Sequence, residues 1–380
     1  MKITNIQLKQ SEEHNLISAQ IDDFNLWYKF PKEIMPEVKA DAFIAACLIP
    51  SMKLGSDIFI DEDIPVSIEL LENIENLQII FSSWGKHLGH KLNIIKIKGG
   101  KKTKFTAGWD KTISFFSGGI DGTFTYLKHK QEIDYLLFAK GIDMQLSSDE
   151  LYNEALSKNK DFLNKEGKEV IPFETNVRFL GHQYGVGWST CFGGGLSSIA
   201  LAAGAKKCYI ASGVTYACMH PEGSNFITDH LWSNGFTQII HDGAESTRVN
   251  KLKQISKNEN ALNILRVCWH DNGYNCGNCE KCLRTMTNLR VLKLQTPTFK
   301  PMTDQLVKTK LSKIKIYSAI DMEFIEENLA EAIKINDNVL IKVLKKIKRN
   351  YELRSLLNHF DHLFLNDFLK KIKLKLFNRT

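Results

Sequence analysis

No run of apolar residues in this 380-residue chain approaches the ~20 that a bilayer-spanning helix needs; the longest, Ala42 to Pro50, stops far short. No membrane span is therefore expected. The opening residues, Met1-Lys2-Ile3-Thr4-Asn5, lead into polar sequence rather than an apolar segment, so no secretory signal is read and a cytoplasmic location is expected. Two common nucleotide signatures are missing as well: neither Gly-x-x-x-x-Gly-Lys-Ser/Thr nor Gly-x-Gly-x-x-Gly occurs. Acidic residues are the minority charge, 43 against 50 Lys/Arg, for a formal net charge of +7. Nearly all of that excess lies in residues 301–380, which hold sixteen Lys/Arg and ten Asp/Glu. A basic tail can meet nucleic acid, an anionic surface or an acidic partner. With no aromatic interleaving and no base-reading module, nucleic acid is left open but not indicated, and a solvated lysine-rich face is the plainer reading.

What is present suits a soluble globular chain with room for two or three domains: 43% of its residues are hydrophobic, enough for a large core without disulfides. Eight cysteines in a reducing compartment argue against a disulfide framework. Cys47, Cys191, Cys208 and Cys218 stand apart in apolar or Gly/Ser-rich surroundings and read as small core residues. The other four, Cys268, Cys276, Cys279 and Cys282, fall within fifteen positions. Two Cys-x-x-Cys steps sharing Cys279 can surround one ion tetrahedrally at the ~2.3 Å sulfur distance of zinc. A redox pair and an iron–sulfur cluster are the alternatives. With all four positions filled by protein, a metal here is structural and closed to substrate.

Three segments are expected. Residues 1–108 mix alternating stretches, Ile3 to Leu8 and Leu16 to Phe30, with helical spacing over Val38 to Leu48 and Ile64 to Phe81. Leu92 to Ile97 alternates before Gly99-Gly100-Lys101-Lys102 breaks the pattern. That is a small α+β domain. Residues 109–295 then alternate strand and helix, which implies a mostly parallel, doubly wound sheet with helices on both faces. Its strands are expected at Ile113–Phe116, Tyr135–Ala139, Glu169–Phe173, Lys207–Ala211 and Gln238–Ile240. Its helices are expected at Asp121–Lys130, Asp149–Asn164, Ser189–Ala203 and Ala244–Ile255. Residues 296–380 form a helical, basic region. There Leu353, Leu356, Phe360, Leu363 and Phe364 recur at helical spacing, as in a packing helix or the seam of a homodimer.

The stretch Ile113 to Thr123 is an apolar run that breaks into Ser117-Gly118-Gly119-Ile120-Asp121-Gly122-Thr123. It reads as a buried strand, a glycine turn and the first turn of a helix, where free N–H groups face an anion; an ordinary strand–turn–helix has the same pattern. Ligands of such sheets lie beyond the carboxyl ends of the strands, which adds Gly141, Ser212-Gly213 and the turn before Arg248. Arg248 is either a bidentate phosphate donor or a surface charge. The glycine run at 193–195 suits close helix-to-sheet packing. His220 and Asp229 lie in a long insert, 214–235, that suits a substrate loop.

Ser-Gly-Gly-Ile-Asp-Gly resembles the Ser-Gly-Gly-x-Asp-Ser loop of the PP-loop ATP pyrophosphatases. With Cys-x7-Cys-x2-Cys-x2-Cys at the end of the same segment, the region from about Ile113 to Leu294 is similar to the 7-cyano-7-deazaguanine synthase family. The resemblance implies a Rossmann-like PP-loop fold, the cofactors ATP, Mg²⁺ and Zn²⁺, and a ligase that adenylates a carboxylate or amide of a small molecule or protein for attack by ammonia or another nucleophile. It places Ser117, Gly118, Gly119, Asp121, Gly122 and Thr123 on the phosphates, with Asp121 near Mg²⁺ or oriented by the turn. It places Phe138, Gly141, Ser212 and Gly213 near adenine, gives Asp121 and Arg248 catalytic roles, and makes the four clustered cysteines zinc ligands. The chain departs from the family at Gly122, where a hydroxyl residue is usual. It departs again at Thr190-Cys191-Phe192-Gly193 in place of Pro-x-Arg-Asn, and at His220-Pro221-Glu222 in place of Tyr-Pro-Asp. Sulfur transfer through Cys191, or a nucleotide-binding module without turnover, are the alternative readings.

Overall fold

The computed structural model describes residues 1–270 and 273–364, with the side chains of residues 319 and 358–364 outside that description. The chain separates into two compact units, Met1–Asn275 and Cys276–Thr380.

The first unit is built on one ten-stranded sheet. Its strands are β1 (Lys2–Gln10), β2 (His14–Ile21), β3 (Phe24–Pro31), β4 (Ile58–Ser67), β5 (Ile97–Thr103), β6 (Trp109–Phe115), β7 (Tyr135–Lys140), β8 (Glu169–Thr175), β9 (Ala205–Ala211) and β10 (Gln238–Asp242). Helices α1 (Asp41–Leu54), α2 (Ile68–Trp84), α3 (Ile120–Lys128), α4 (Asp149–Lys165), α5 (Val177–Gln183), α6 (Trp188–Ala203), α7 (Arg248–Ile255) and α8 (Glu259–Leu262) connect them. The order is β10-β9-β6-β7-β8-β3-β2-β1-β4-β5. From β10 to β8 the pairing is all parallel, and β1, β4 and β5 are parallel too. The antiparallel pairs are β8 with β3, β3 with β2 and β2 with β1. The sheet is therefore mostly parallel.

Short apolar runs such as Tyr135–Lys140 are buried on both faces, as parallel strands covered by helices must be. The chain runs outward from β6 to β7 and β8, then returns to lay β9 and β10 on the other side of β6. Connections on the two sides of β6 therefore diverge, leaving a crevice beyond its carboxyl end.

The strands of residues 1–108 continue this sheet. Tyr28 pairs with Thr175 across β3 and β8. Asn176 closes the junction, accepting from the Trp27 N–H (3.0 Å) and donating to the Asn25 carbonyl (2.8 Å). One buried core runs through β1–β4, α1, α2, β6–β9 and α6.

Three expectations for its helices and strands change away from the β6 turn. The helix expected at Ile64–Phe81 begins only at Ile68, because the Ser67 hydroxyl caps it by accepting from Leu70 N–H, and Ile64 belongs to β4. The strand expected at Leu92–Ile97 instead occupies Ile97–Thr103 and contains the glycine pair. Its register against β4 slips between Ile60 and Pro65, and Gly99 and Gly100 absorb the slip at φ 78° and 75°. The glycines of α6 admit a helix and a loop rather than the sheet. A Cβ on Gly194 would lie 2.5 Å from the Ala45 carbonyl of α1, and one on Gly193 1.9 Å from the Gly223 carbonyl.

The second unit is helical: α9 (Glu280–Val291), α10 (Asp304–Thr309), α11 (Ala319–Lys334) and α12 (Asn338–Phe364). Arg290 ties it together. Its Nε and Nη2 meet the two oxygens of Asp337 at 2.6 and 2.8 Å, Nη2 also reaches Asp304 at 2.7 Å, and Nη1 donates to the Met302 carbonyl. Such a bidentate fork fixes direction as well as distance. Leu353 and Leu356 of α12 are exposed, while the side chains of Phe360, Leu363 and Phe364 lie outside the described residues. Among the described residues no helix is long and apolar enough to cross a membrane.

Candidate functional site

The carboxyl end of β6 runs through Phe116 into Ser117-Gly118-Gly119 and then directly into α3. Gly118 has φ 75°, the left-handed region that a residue with a Cβ enters at a cost. A Cβ there would also press on the Asn159 Oδ1 at 3.0 Å and the Ile264 carbonyl at 3.1 Å. Gly119 is the N-cap of α3 and supplies no side-chain acceptor. Under Gly122, a Cβ would lie 3.0 Å from the Phe115 carbonyl, so the position usual for a hydroxyl residue is tight in this chain. Thr123, the neighbour expected to supply a hydroxyl instead, is fully buried, and its Oγ1 has no hydrogen-bond partner.

Charge converges on the same turn. Helix α7 starts at Arg248 rather than Ala244, because Gly243 (φ 89°) turns the chain and Thr247 caps the helix through Asn250 N–H. Arg248 and Lys251, one turn apart, therefore reach the same carboxylate. Arg248 Nη1 lies 2.8 Å from Asp121 Oδ2, and Lys251 Nζ lies 3.0 Å from Asp121 Oδ1 and 2.6 Å from the Ser212 carbonyl. Arg248 is 7% and Lys251 1% exposed, so both charges are held out of water and depend on that acid. Asp121 and Arg248, each read from the sequence as a site residue, are thus brought together, and Lys251 joins them unannounced. Its only sequence signal is its place three residues after Arg248 on one helix face.

The remaining expected contacts are less open. Phe138 is 1% exposed and stacks on Tyr152 at 4.9 Å, which leaves its side chain in the core. The amide of Gly141 donates to the Met144 carbonyl. Ser212 is buried and spends its hydroxyl on the Val214 carbonyl, while a Cβ on Gly213 would meet open space.

In the insert, Asp229 is fully buried and accepts from Ser224 Oγ (2.6 Å) and Asn225 N–H (3.0 Å), with His241 Nδ1 at 2.7 Å. It anchors the insert to β10. His220 instead sits beside Glu222, Nε2 to Oε2 3.7 Å. Burial, reinforced by the Asp229 charge, pushes the Glu222 carboxyl up to about 7 from 4.5. In the window between those values the folded chain holds a proton that the unfolded chain has lost, so this group's contribution falls as pH rises toward 7. Glu222→Gln, which cannot ionise, is expected to gain stability relative to the parent from pH 5 to pH 8 in urea titrations. A gap that does not change with pH would refute the assignment.

The cysteine cluster is a compact ligand set: the Sγ atoms of Cys268, Cys276, Cys279 and Cys282 all lie within 4.8 Å of one another. Cys276 and Cys282 are 3.9 Å apart, close to the ~3.8 Å edge of a tetrahedron drawn at ~2.3 Å around one ion. Backbone N–H groups point at the sulfurs, His270 to Cys268, Asn278 and Cys279 to Cys276, and Cys282 to Cys279, at 3.3–3.4 Å. Such donors suit thiolates. The set fits a single metal ion; a multi-atom iron–sulfur core would hold its thiolates farther apart.

Comparison with protein-family models, with curated proteins and with solved structures gives no match. The case for function therefore stands on these side chains and on the turn they surround.

Proposed function

We propose that the chain is an ATP-dependent ligase of the PP-loop pyrophosphatase type, with a Rossmann-like sheet and a zinc ion in its cysteine cluster. The reading is carried by the pairing of Asp121 with both Arg248 and Lys251 against the Ser117–Gly119 turn, at the strand where the order of the sheet reverses. Backbone amides of the turn and the uncapped start of α3 would cradle the polyphosphate. Arg248 and Lys251 would neutralise charge as pyrophosphate leaves. Asp121 holds those two cations with both of its oxygens, so it orients them, and Mg²⁺ would arrive on the nucleotide phosphates instead. Adenine would lie toward Gly141 and Gly213, and His220 and Glu222 toward the acceptor. Zinc would shape the chain without meeting substrate.

A carboxylate or amide oxygen attacks the α-phosphorus of ATP, the α–β bridging bond breaks and pyrophosphate departs. Ammonia or another nucleophile then displaces AMP from the resulting adenylate, acyl from a carboxylate and imidoyl from an amide. Positioning and charge account for catalysis of this kind, and no covalent enzyme intermediate is required. The test is exchange of labelled pyrophosphate into ATP in the presence of a panel of carboxylic acids, with AMP as the final product. ADP as product would sink the reading, and tight ATP binding with no exchange would favour a module without turnover.

Sulfur transfer would need a reactive thiolate. Cys191, the cysteine that the sequence reading named for this role, is 6% exposed, and burial pushes its thiol up to about 12. Cys191→Ser is therefore expected to release AMP at a rate within about twofold of the parent, since no step of the proposed adenylation uses that thiol. Abolition of turnover would restore the sulfur-transfer reading.

A further inference from the structure

A third buried cation belongs to the backbone that lines the turn. Arg266 N–H donates to the Gly118 carbonyl at 2.9 Å, and the Arg266 carbonyl lies 3.6 Å from where a Gly119 Cβ would stand. The backbone at 264–266 thus lines the turn. Arg266 is 3% exposed, yet its Nε and Nη2 are buried without a partner. Asn159 of α4 is fully buried, and neither its Nδ2 nor its Oδ1 is bonded, although Oδ1 would lie 3.0 Å from a Cβ on Gly118. The hydroxyl of Tyr274, within electrostatic reach of Arg266, donates to the Ile264 carbonyl at 2.6 Å. Glu154 also acts on that hydroxyl, but it is paired with Lys158 at 3.4 Å.

An arginine cannot shed its proton, and a buried guanidinium without an acid is costly to keep. Arg248 and Lys251 have Asp121; among the described residues Arg266 has no carboxylate within ion-pair distance. We propose that Arg266, with Asn159 at the same turn, is the second wall of the phosphate site and takes the terminal phosphates of a di- or triphosphate as its counter-charge. This residue-specific assignment rests on the reading of the turn as a polyphosphate cradle. It also gives the cysteine cluster a positioning task. Asn275 accepts from Val267 and Cys268 N–H at 3.0 and 3.3 Å and donates to the Leu265 carbonyl at 2.9 Å, gripping the chain on both sides of Arg266.

The probes are inorganic pyrophosphate and AMP, titrated separately by calorimetry into the full-length protein and its variants. Arg266→Met is expected to weaken pyrophosphate binding about tenfold to a hundredfold, the worth of a charge-assisted hydrogen bond, while AMP binding stays within about threefold. Arg266→Lys, which keeps the charge but not the fork, is expected to fall between Met and the parent, and it decides the matter alone should the Met variant not fold. Pyrophosphate affinity unchanged in the Lys and Met variants, or AMP and pyrophosphate affinity lost together, would overturn the assignment. Arg266-dependent pyrophosphate binding without AMP formation from ATP would leave this site standing and remove the ligase. Unaltered binding in an enzyme that does form AMP would do the reverse.

Discussion

Asp121→Asn is expected to cost about 3 to 5 kcal/mol of folding stability, the range found when one partner of a buried ion pair is removed. One carboxylate serves Arg248 at 2.8 Å and Lys251 at 3.0 Å, and neither cation has more than a few per cent of its surface in water. The amide of asparagine can still meet one of them but neutralises neither. Urea unfolding measures the loss. The double variant Asp121→Asn/Lys251→Met tests its cause, because removing one orphaned cation should recover part of the stability and make the two changes non-additive. Additive losses would mean that Asp121 stabilises α3 by some other route. Inorganic pyrophosphate, binding only the folded chain, should restore stability to Asp121→Asn with the logarithm of its concentration above Kd. Turnover of the variant should fall by about 10² to 10³, the usual cost of misplacing a charge-stabilising group.

The same cluster marks where the sequence stopped being legible. Strands β6 to β10 stand out as apolar runs punctuated by glycine turns, with amphipathic helices between them, so pattern alone locates them. β4 does not stand out, because Asp61-Glu62-Asp63 interrupts it on an exposed stretch. β5 is hidden by a glycine pair that ordinarily ends a strand. Arg248 could be named because it follows a glycine turn at a strand end. Lys251 could not: within Lys251-Leu252-Lys253 it reads as an ordinary charged helix face, and only the fold shows it 1% exposed. Arg266 lies in the irregular stretch before Cys268, where no periodicity tells an inward residue from an outward one. Both cations are defined by what the fold closes around them, a property that linear spacing does not encode.

The cysteine cluster is the opposite case, since Cys-x-x-Cys steps fix both the ligands and their geometry locally. Cys279→Ser is accordingly expected to reduce bound zinc from about one equivalent to near none, read by elemental analysis, and to lower stability by about 4 kcal/mol or more, as loss of a structural metal does. Cys279 is also the N-cap of α9, where its Sγ accepts from Cys282 N–H at 3.4 Å; serine is itself a preferred N-cap, so the substitution removes the proposed ligand and keeps a cap acceptor. Cys276→Ser removes a second proposed ligand without touching that cap and serves as the control. If the metal dominates, the two variants should lose nearly equal stability, and a strong chelator should bring the parent to the same level. Acid should release the ion as well, because each thiolate must be deprotonated to bind. Cys191→Ser, outside the cluster, should keep its full complement of metal. A parent that binds no zinc, or a Cys276→Ser variant as stable as the parent, would reduce the four thiols to packing residues. In that event the grip of Asn275 on the backbone beside Arg266 would have to hold that segment unaided.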